Sequence, residues 1–428
     1  MQHAKRVFYF AMAFMLTLQV HAQTTGPLTP DTLHLDLDSA EHIFITRNFS
    51  LLAQRYNIDV NRALILQARL FPNPNLSYAQ GFYNPKTKQI FAFGSNGEVE
   101  GGLSQLIQLA GKRNKQIRIA QANTQLAEYQ FFDLLRTLKY TLRTDFFNIY
   151  YLQQSAKLYD EEISSLQQVV QAFNELQGKG YISQKEVVRI KAQLYSLQSE
   201  YSDLINQIND LQSELRLVIQ MKNVYIQPEI DSGMINSLDP AKYSLNTLLD
   251  SAYQNRTDLL IARQNTEVNK LNYSYQKALA VPDVTLNAAY DQQGSYVNNF
   301  NSLGFSIDLP FFNRNQGNIK SAKAQIAASN ATQQSTQATV EENVYRALQK
   351  AFDLNRLYAG MDQQFASEFS RLLHEVLINY KKRNLGLLDF LDFYDSYKQN
   401  MLQINAIRFH RVSAFEDLNF YTGTALFN

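Results

Sequence analysis

Asp389, Asp392 and Asp395 recur at every third position, a spacing that sets three carboxylates on roughly one face of a helix. Grouped carboxylates attract cations. Repeated around an axis, each one facing inward becomes a ring of negative charge that favours cations and gates by repulsion or ion pairing. The same spacing also describes an ordinary hydrated face. Lys381, Lys382 and Arg383, just upstream, are close enough to be the pairing partners. Ser183 and Glu186 have the spacing of a capping box, in which the two side chains satisfy exposed N–H groups at a helix start.

Nothing in the chain calls for bond-breaking chemistry. His3, His21, His34, His42, His374 and His410 are scattered, with no two at metal-ligand helical spacing, and the chain has no Cys, so thiolate metal sites, disulfides and a Cys nucleophile are excluded. No convincing phosphate loop or nucleophile elbow is present. The reading is of a protein that is not an enzyme, with no catalytic residues, no bound metal and no cofactor. Forty Lys and Arg against 39 Asp and Glu give a net charge of +1, too little to hold a phosphate backbone, so nucleic acid is not an expected partner.

The elements that would position these groups are unusually long. The segments Pro72 to Gly111 and Pro282 to Gly317 contain nine of the 16 Gly and five of the nine Pro, which marks them as loop-and-strand regions. Lys112 to Gln177 and Tyr181 to Gln227 have neither residue, and Asn318 to Leu385 has only Gly360; all three read as very long helices. Val187, Ile190, Leu194, Leu197, Tyr201, Leu204, Ile208, Leu211, Leu215 and Val218 follow in steps of three and four, a heptad stripe that predicts left-handed supercoiling on a neighbouring helix. Leu134, Leu138, Leu142, Phe146 and Val340, Val344, Ala347, Leu348, Ala351 repeat the pattern less strictly.

The chain also repeats itself. Leu70 to Leu76 finds a partner in Ala280 to Leu286, Arg113-Asn114 in Arg314-Asn315, and the turn Gly180 to Val187 in Arg383 to Phe390. Each half reads as a medium helix, a strand pair, one very long helix, a tight reversal and a second long helix. At about 1.5 Å per residue, Lys112 to Gln177 spans about 100 Å, close to the sum of the helix after the reversal and the helix before the strands. The expected shape is a rod with strands at one end and the reversal at the other.

Each strand pair has one apolar and one polar side. Leu303, Phe305, Ile307 and Leu309 alternate with Gly304, Ser306 and Asp308, and Val284, Leu286, Ala288 and Tyr290 with Thr285, Asn287, Ala289 and Asp291. This is the pattern of a membrane barrel strand and also of a half-buried strand in a soluble sheet. Asn75 to Tyr83 and Val99 to Gln108 are patchier, with Gln105 sharing a face with Leu103 and Ile107. Tyr78, Phe82, Tyr83, Phe91, Phe93, Tyr290, Tyr296 and Phe300 would form interfacial girdles. If the strands enter lipid, four cannot close and the open edges would leave backbone groups unpaired at several kcal/mol each; three chains would pool twelve strands around a passage. Asp308 is then a candidate for the barrel lumen by strand alternation. Upstream, Lys5 and Arg6, the apolar run Val7 to Leu18 and the small residue Ala22 read as a signal peptide over 1–22.

On these motifs the chain resembles the TolC family of outer-membrane efflux channels, most nearly the cation-efflux branch that partners resistance-nodulation-division pumps. The residues carrying the likeness are Leu70 to Pro74, Leu103 to Ile107 with Gly111-Lys112-Arg113, Leu309 to Ile319, and the two reversals, Gly180 to Val188 and Leu385 to Leu391. The resemblance implies a fold that is mainly α with a small β part: two tandem repeats of helix, strand pair and long helical hairpin. It also implies a homotrimer whose twelve-stranded barrel sits in outer-membrane lipid and continues as a periplasmic helical tunnel, docking with an adaptor protein and an inner-membrane pump. On this view Asp389, Asp392, Asp395, Lys381, Lys382, Arg383 and Glu186 are the candidates for the periplasmic aperture, and Gly180, Ile182, Ser183, Leu385 and Gly386 for the adaptor-contact tip; Ile182 and Leu385 read equally as staples beneath the turns. Two departures stand out. No Cys near the processed N-terminus means no lipid anchor there, and Arg383 stands where the family often has Gly. The expected divisions are an N-terminal extension over 23–34, a first repeat over 35–228, a linker over 229–244 and a second repeat over 245–428. The competing readings are a periplasmic coiled-coil adaptor and a structural envelope protein; within the channel class, drug efflux and type I protein secretion compete with metal cations.

Overall fold

The computed structural model describes residues 31–294, 296–362, 364–382 and 384–427. The expected signal segment and Arg383 lie outside them. The first repeat runs β1 (Asp31–Asp36), α1 (Leu37–Arg47), α2 (Phe49–Arg69), β2 (Asn75–Gln80), the small hairpin β3 (Tyr83–Asn84) and β4 (Gln89–Ile90), β5 (Val99–Ile107), α3 (Lys112–Gly178), α4 (Gln184–Ile219), β6 (Val224–Glu229) and α5 (Ser232–Asn236). The second runs α6 (Leu245–Asn255), α7 (Thr257–Leu279), β7 (Val284–Asp291), β8 (Phe300–Ile307), α8 (Gln316–Ala359), α9 (Phe365–Lys381) and α10 (Leu387–Thr422). The order of helix, strand pair and long hairpin therefore occurs twice.

Helix α3 is continuous for 67 residues, about 100 Å. It begins beyond Gly111, whose φ of 64° is left-handed, and α8 begins beyond Asn315 at φ 58°. Glycine and asparagine are the two residue types that accept this conformation most readily, so the residues that cap the two long helices turn the chain alike from strand into helix, although the sequence repeat aligns Asn315 with Asn114, inside α3. At the other end Gly180, at φ 74°, lets the Gly180 and Tyr181 N–H groups reach back 2.9 Å to the Gln177 and Leu176 carbonyls, which closes α3 and reverses the chain. The stripe on α4 is the buried one: Val187, Ile190, Leu194, Leu197, Ile208, Leu215 and Val218 all lie in the interior.

The second repeat departs from the expected single long helix. Gly360 ends α8, with its N–H shared between the Arg356 and Tyr358 carbonyls, and the Asp362 carboxylate accepts the Gln364 N–H at 2.9 Å before α9 starts. A glycine lowers helix propensity by about 1 kcal/mol relative to alanine, and an aspartate that offers the backbone a local acceptor competes with helix continuation. A parallel pairing of β1 with β6 was also not anticipated, and β1 straddles the expected start of the first repeat.

Two apolar clusters hold the rod. The proximal one joins both repeats through Phe44, Leu142, Phe146, Phe147, Leu215, Val344 and Phe415; the distal one gathers Tyr159, Leu166, Ile190, Leu197, Tyr380, Phe390 and Tyr394 near the reversals. In the distal cluster Tyr380 and Phe390 stack at 4.2 Å. Beside the proximal cluster, buried Arg143 grips Glu416 in two bonds of 2.7 and 2.8 Å and Glu41 at 2.8 Å.

Candidate functional site

The strands form one antiparallel sheet in the order β2-β5-β7-β8. Register aligns their alternation. Leu76, Leu103, Ala288 and Leu303 make one cross-strand row, Gln105, Leu286 and Phe305 the next, and Ile107, Val284 and Ile307 a third. These rows share a face. Ser77, Gly102, Ala289 and Ser302, and then Ser104, Asn287 and Gly304, fall on the other. The apolar face is open to the surroundings, with Leu303 89% and Leu76 80% exposed. Within these three rows the polar residue Gln105 turns its amide onto the Pro72 and Leu106 carbonyls at 2.9 and 3.0 Å. Exposed aromatics stand at both ends: Phe82, Tyr83, Phe91, Phe93 and Tyr296 in the connections between strands, and Phe71, Phe311 and Phe312 where strands meet helices. There Lys112 donates to the Val281 carbonyl and to Asp283, and Asp283 also accepts the Leu109 N–H, stitching the two repeats together at the sheet's base. Asp308 is exposed and lies one residue beyond β8.

At the opposite end the reversals position the charged candidates. Asp389 and Asp392 are exposed on α10, whereas Asp395 is partly covered and bonded to Lys398 at 3.0 Å and Gln399 at 2.7 Å. Lys381 and Lys382 are exposed, and among the described residues neither forms an ion pair with the three aspartates. Lys398, one turn along the same helix, takes the place they were expected to fill for Asp395. The capping box forms as the spacing predicts: the Glu186 N–H donates to Ser183 Oγ at 3.3 Å, and the Ser183 N–H to Glu186 Oε2 at 3.0 Å. Glu186 is thus engaged at the helix start. Ile182 and Leu385 are half-buried, Leu385 against the distal cluster, while Tyr181 and Leu388 beside them are exposed. Gly386 is the residue from which α10 starts.

One group of polar residues went unnoticed in the sequence. Glu162 on α3 is buried with both carboxylate oxygens lacking a hydrogen-bond partner. Tyr394 donates to its backbone carbonyl at 2.6 Å, and Lys398 bonds Glu200 on α4 at 2.8 Å. The signal was present: Tyr159, Glu162, Leu166, Val169 and Phe173 follow in steps of three and four, which puts an acid in a core position of a heptad stripe.

The chain matches the model of the family described as outer membrane efflux protein over residues 43–219 and 248–359. It is 20% identical over 370 residues to the cobalt-zinc-cadmium resistance protein CzcC of Cupriavidus metallidurans, covering 86% of this chain and 84% of that one. Among solved structures, a membrane protein from Pseudomonas aeruginosa is similar at a TM-score of 0.74 and 16% identity, covering 90% of this chain and 92% of that one. The CmeC outer membrane channel of Campylobacter jejuni is similar at 0.72 and 15% identity, covering 90% and 85%. These likenesses give the fold: a mainly helical chain with a short antiparallel sheet and long helical hairpins. With the family model spanning most of both repeats, the chain belongs to the outer membrane efflux protein family, whose members are passive channels and not enzymes.

Proposed function

We propose that the chain is the outer-membrane channel of a tripartite efflux system, with three copies sealing one barrel and tunnel that conducts metal cations received from an inner-membrane pump through a periplasmic adaptor. The observation that carries this reading is the sheet: four strands in register, an exposed apolar face, and edges left open at β2 and β8. An open edge in lipid is costly. Because every neighbouring pair is antiparallel, a neighbour's β2 laid beside β8 continues the pattern, and three chains close twelve strands around a water-filled interior. Phe49, Leu52, Tyr56, Val60 and Leu64 form a second exposed apolar stripe along α2, suited to a subunit contact in the tunnel. The apolar band fits outer-membrane lipid, and the hairpins would then extend into the periplasm.

The substrate follows from two lines of support: the relative named for cobalt, zinc and cadmium resistance, and the exposed pair Asp389 and Asp392, which threefold symmetry would turn into rings of charge. Exposed Tyr181 and Leu388 at the reversals extend the adaptor-contact surface beyond Gly180, Ile182, Ser183, Leu385 and Gly386. The test is planar-bilayer conductance of the detergent-purified protein, together with metal tolerance of a deletion strain. Cation-selective current that falls in Asp389→Asn/Asp392→Asn, and hypersensitivity to divalent metals, are expected. No conductance would refute the channel; unchanged tolerance to every metal tested would refute the cation assignment.

A further inference from the structure

The two long hairpins meet just above the reversals, and the contact is built around a carboxylate without a partner. Glu162 is 3% exposed, and neither of its oxygens has a hydrogen-bond or ion-pair partner. The groups that face it are Tyr159 and Glu161 on its own helix, Glu200 on α4, and Tyr394, Asp395, Tyr397 and Lys398 on α10. The single cation among them is already engaged: Lys398 bonds Glu200 at 2.8 Å and Asp395 at 3.0 Å. Tyr394, which could serve the Glu162 side chain, donates instead to its backbone carbonyl at 2.6 Å. A charged carboxylate in such a place lacks both water and a counter-ion, whereas a protonated one carries no charge to solvate.

We propose that Glu162 is a proton-operated latch between the hairpins: protonated, it lets α10 pack shut against α3; ionised, it drives the two apart and opens the periplasmic end of the passage. This rests on the channel reading above. Burial first, followed by the Asp395, Glu200 and Glu161 carboxylates, pushes the group up to about 8 from an ordinary 4.5, against the pull of Lys398. The shut packing retains a proton that an opened, solvated glutamate releases. Closure is therefore strongest below the ordinary value, weakens by up to about tenfold per pH unit in each protomer as pH rises toward the buried value, and changes no further above it. Asp145, the other buried carboxyl raised, to about 7, by burial and by the Glu214 carboxylate, faces α4 within one hairpin, so separating the hairpins does not release it.

The test is single-channel recording of the purified full-length mature protein in planar bilayers between about pH 5 and about pH 8.5. The wild type should open more often as pH rises. Glu162→Gln, a neutral side chain of the same shape, should hold the channel at its acidic level throughout, with the slope gone. Tyr394→Phe, which removes an interhairpin bond without touching the titrating group, should raise opening at every pH and keep the slope. A slope that survives in Glu162→Gln, or a wild type that does not respond to pH, overturns the latch while leaving the channel intact. If Tyr394→Phe combined with Lys398→Met, which breaks the two interhairpin bonds beside Glu162, conducts at no pH although it assembles normally in detergent, the channel reading itself fails and the latch with it.

Discussion

Replacing Leu303 with arginine tests which side of the sheet meets lipid. Leu303 lies mid-strand in β8, in the row with Leu76, Leu103 and Ala288 on the exposed apolar face. Ser302, its neighbour, points to the other face in the row with Ser77, Gly102 and Ala289. An arginine on the lipid side of a barrel costs about 2–4 kcal/mol at the bilayer midplane and about 0–1 kcal/mol near the interfaces. Leu303→Arg should therefore cost about 2–4 kcal/mol per protomer and roughly three times that in a trimer. Ser302→Arg, one residue away, should leave stability nearly unchanged and alter current through the pore. The assay is urea unfolding of the protein reconstituted in lipid, with conductance measured in parallel. Equal destabilisation by the two substitutions, or a larger cost at Ser302, would refute the assignment of faces and with it the outward-facing apolar band.

Two further substitutions probe the tunnel. Arg143→Ala leaves Glu416, which has a 5% exposed side chain, without its bidentate partner, and losing one member of a buried ion pair costs about 3–5 kcal/mol; thermal unfolding in detergent should show the drop, and a change below about 1 kcal/mol would mean that water already reaches the site. Ser183→Ala removes half of the capping box and should cost about 1 kcal/mol, seen as faster amide exchange confined to the first turns of α4; uniform exchange along the helix would contradict a local role.

Periodic and local features were legible in the sequence because they depend on near neighbours. The steps of three and four from Val187 to Val218 fixed the buried face of α4, Ser183 and Glu186 formed their box, and the alternation through Leu303 and Phe305 gave the face of β8. Features that depend on distant partners were not legible. The β1–β6 pair joins segments whose only common feature is where the first repeat starts and ends. Lys381 and Lys382 were close in sequence to the aspartates, yet Lys398 makes the bond to Asp395 because it sits one helical turn away, where side chains meet. Glu162 was visible as an acid in an apolar stripe, but its isolation depends on how Lys398 divides its charge between Glu200 and Asp395, a fact of three helices together. The break after Gly360 is not legible from one glycine in a long run, because it also depends on Asp362 accepting the Gln364 N–H, which is local turn chemistry.

Seam formation between subunits is the most direct test of the account. The chain has no Cys, so cysteine pairs can be introduced into a silent background. Asn75, Ser77 or Ala79 in β2 would be combined in turn with Ser302, Gly304 or Ser306 in β8 and oxidised in native outer membranes. At least one pair should yield covalent dimers and trimers and nothing larger. A full panel without crosslinks, from a protein that is monomeric and soluble without detergent, would contradict the claim that three chains seal one barrel.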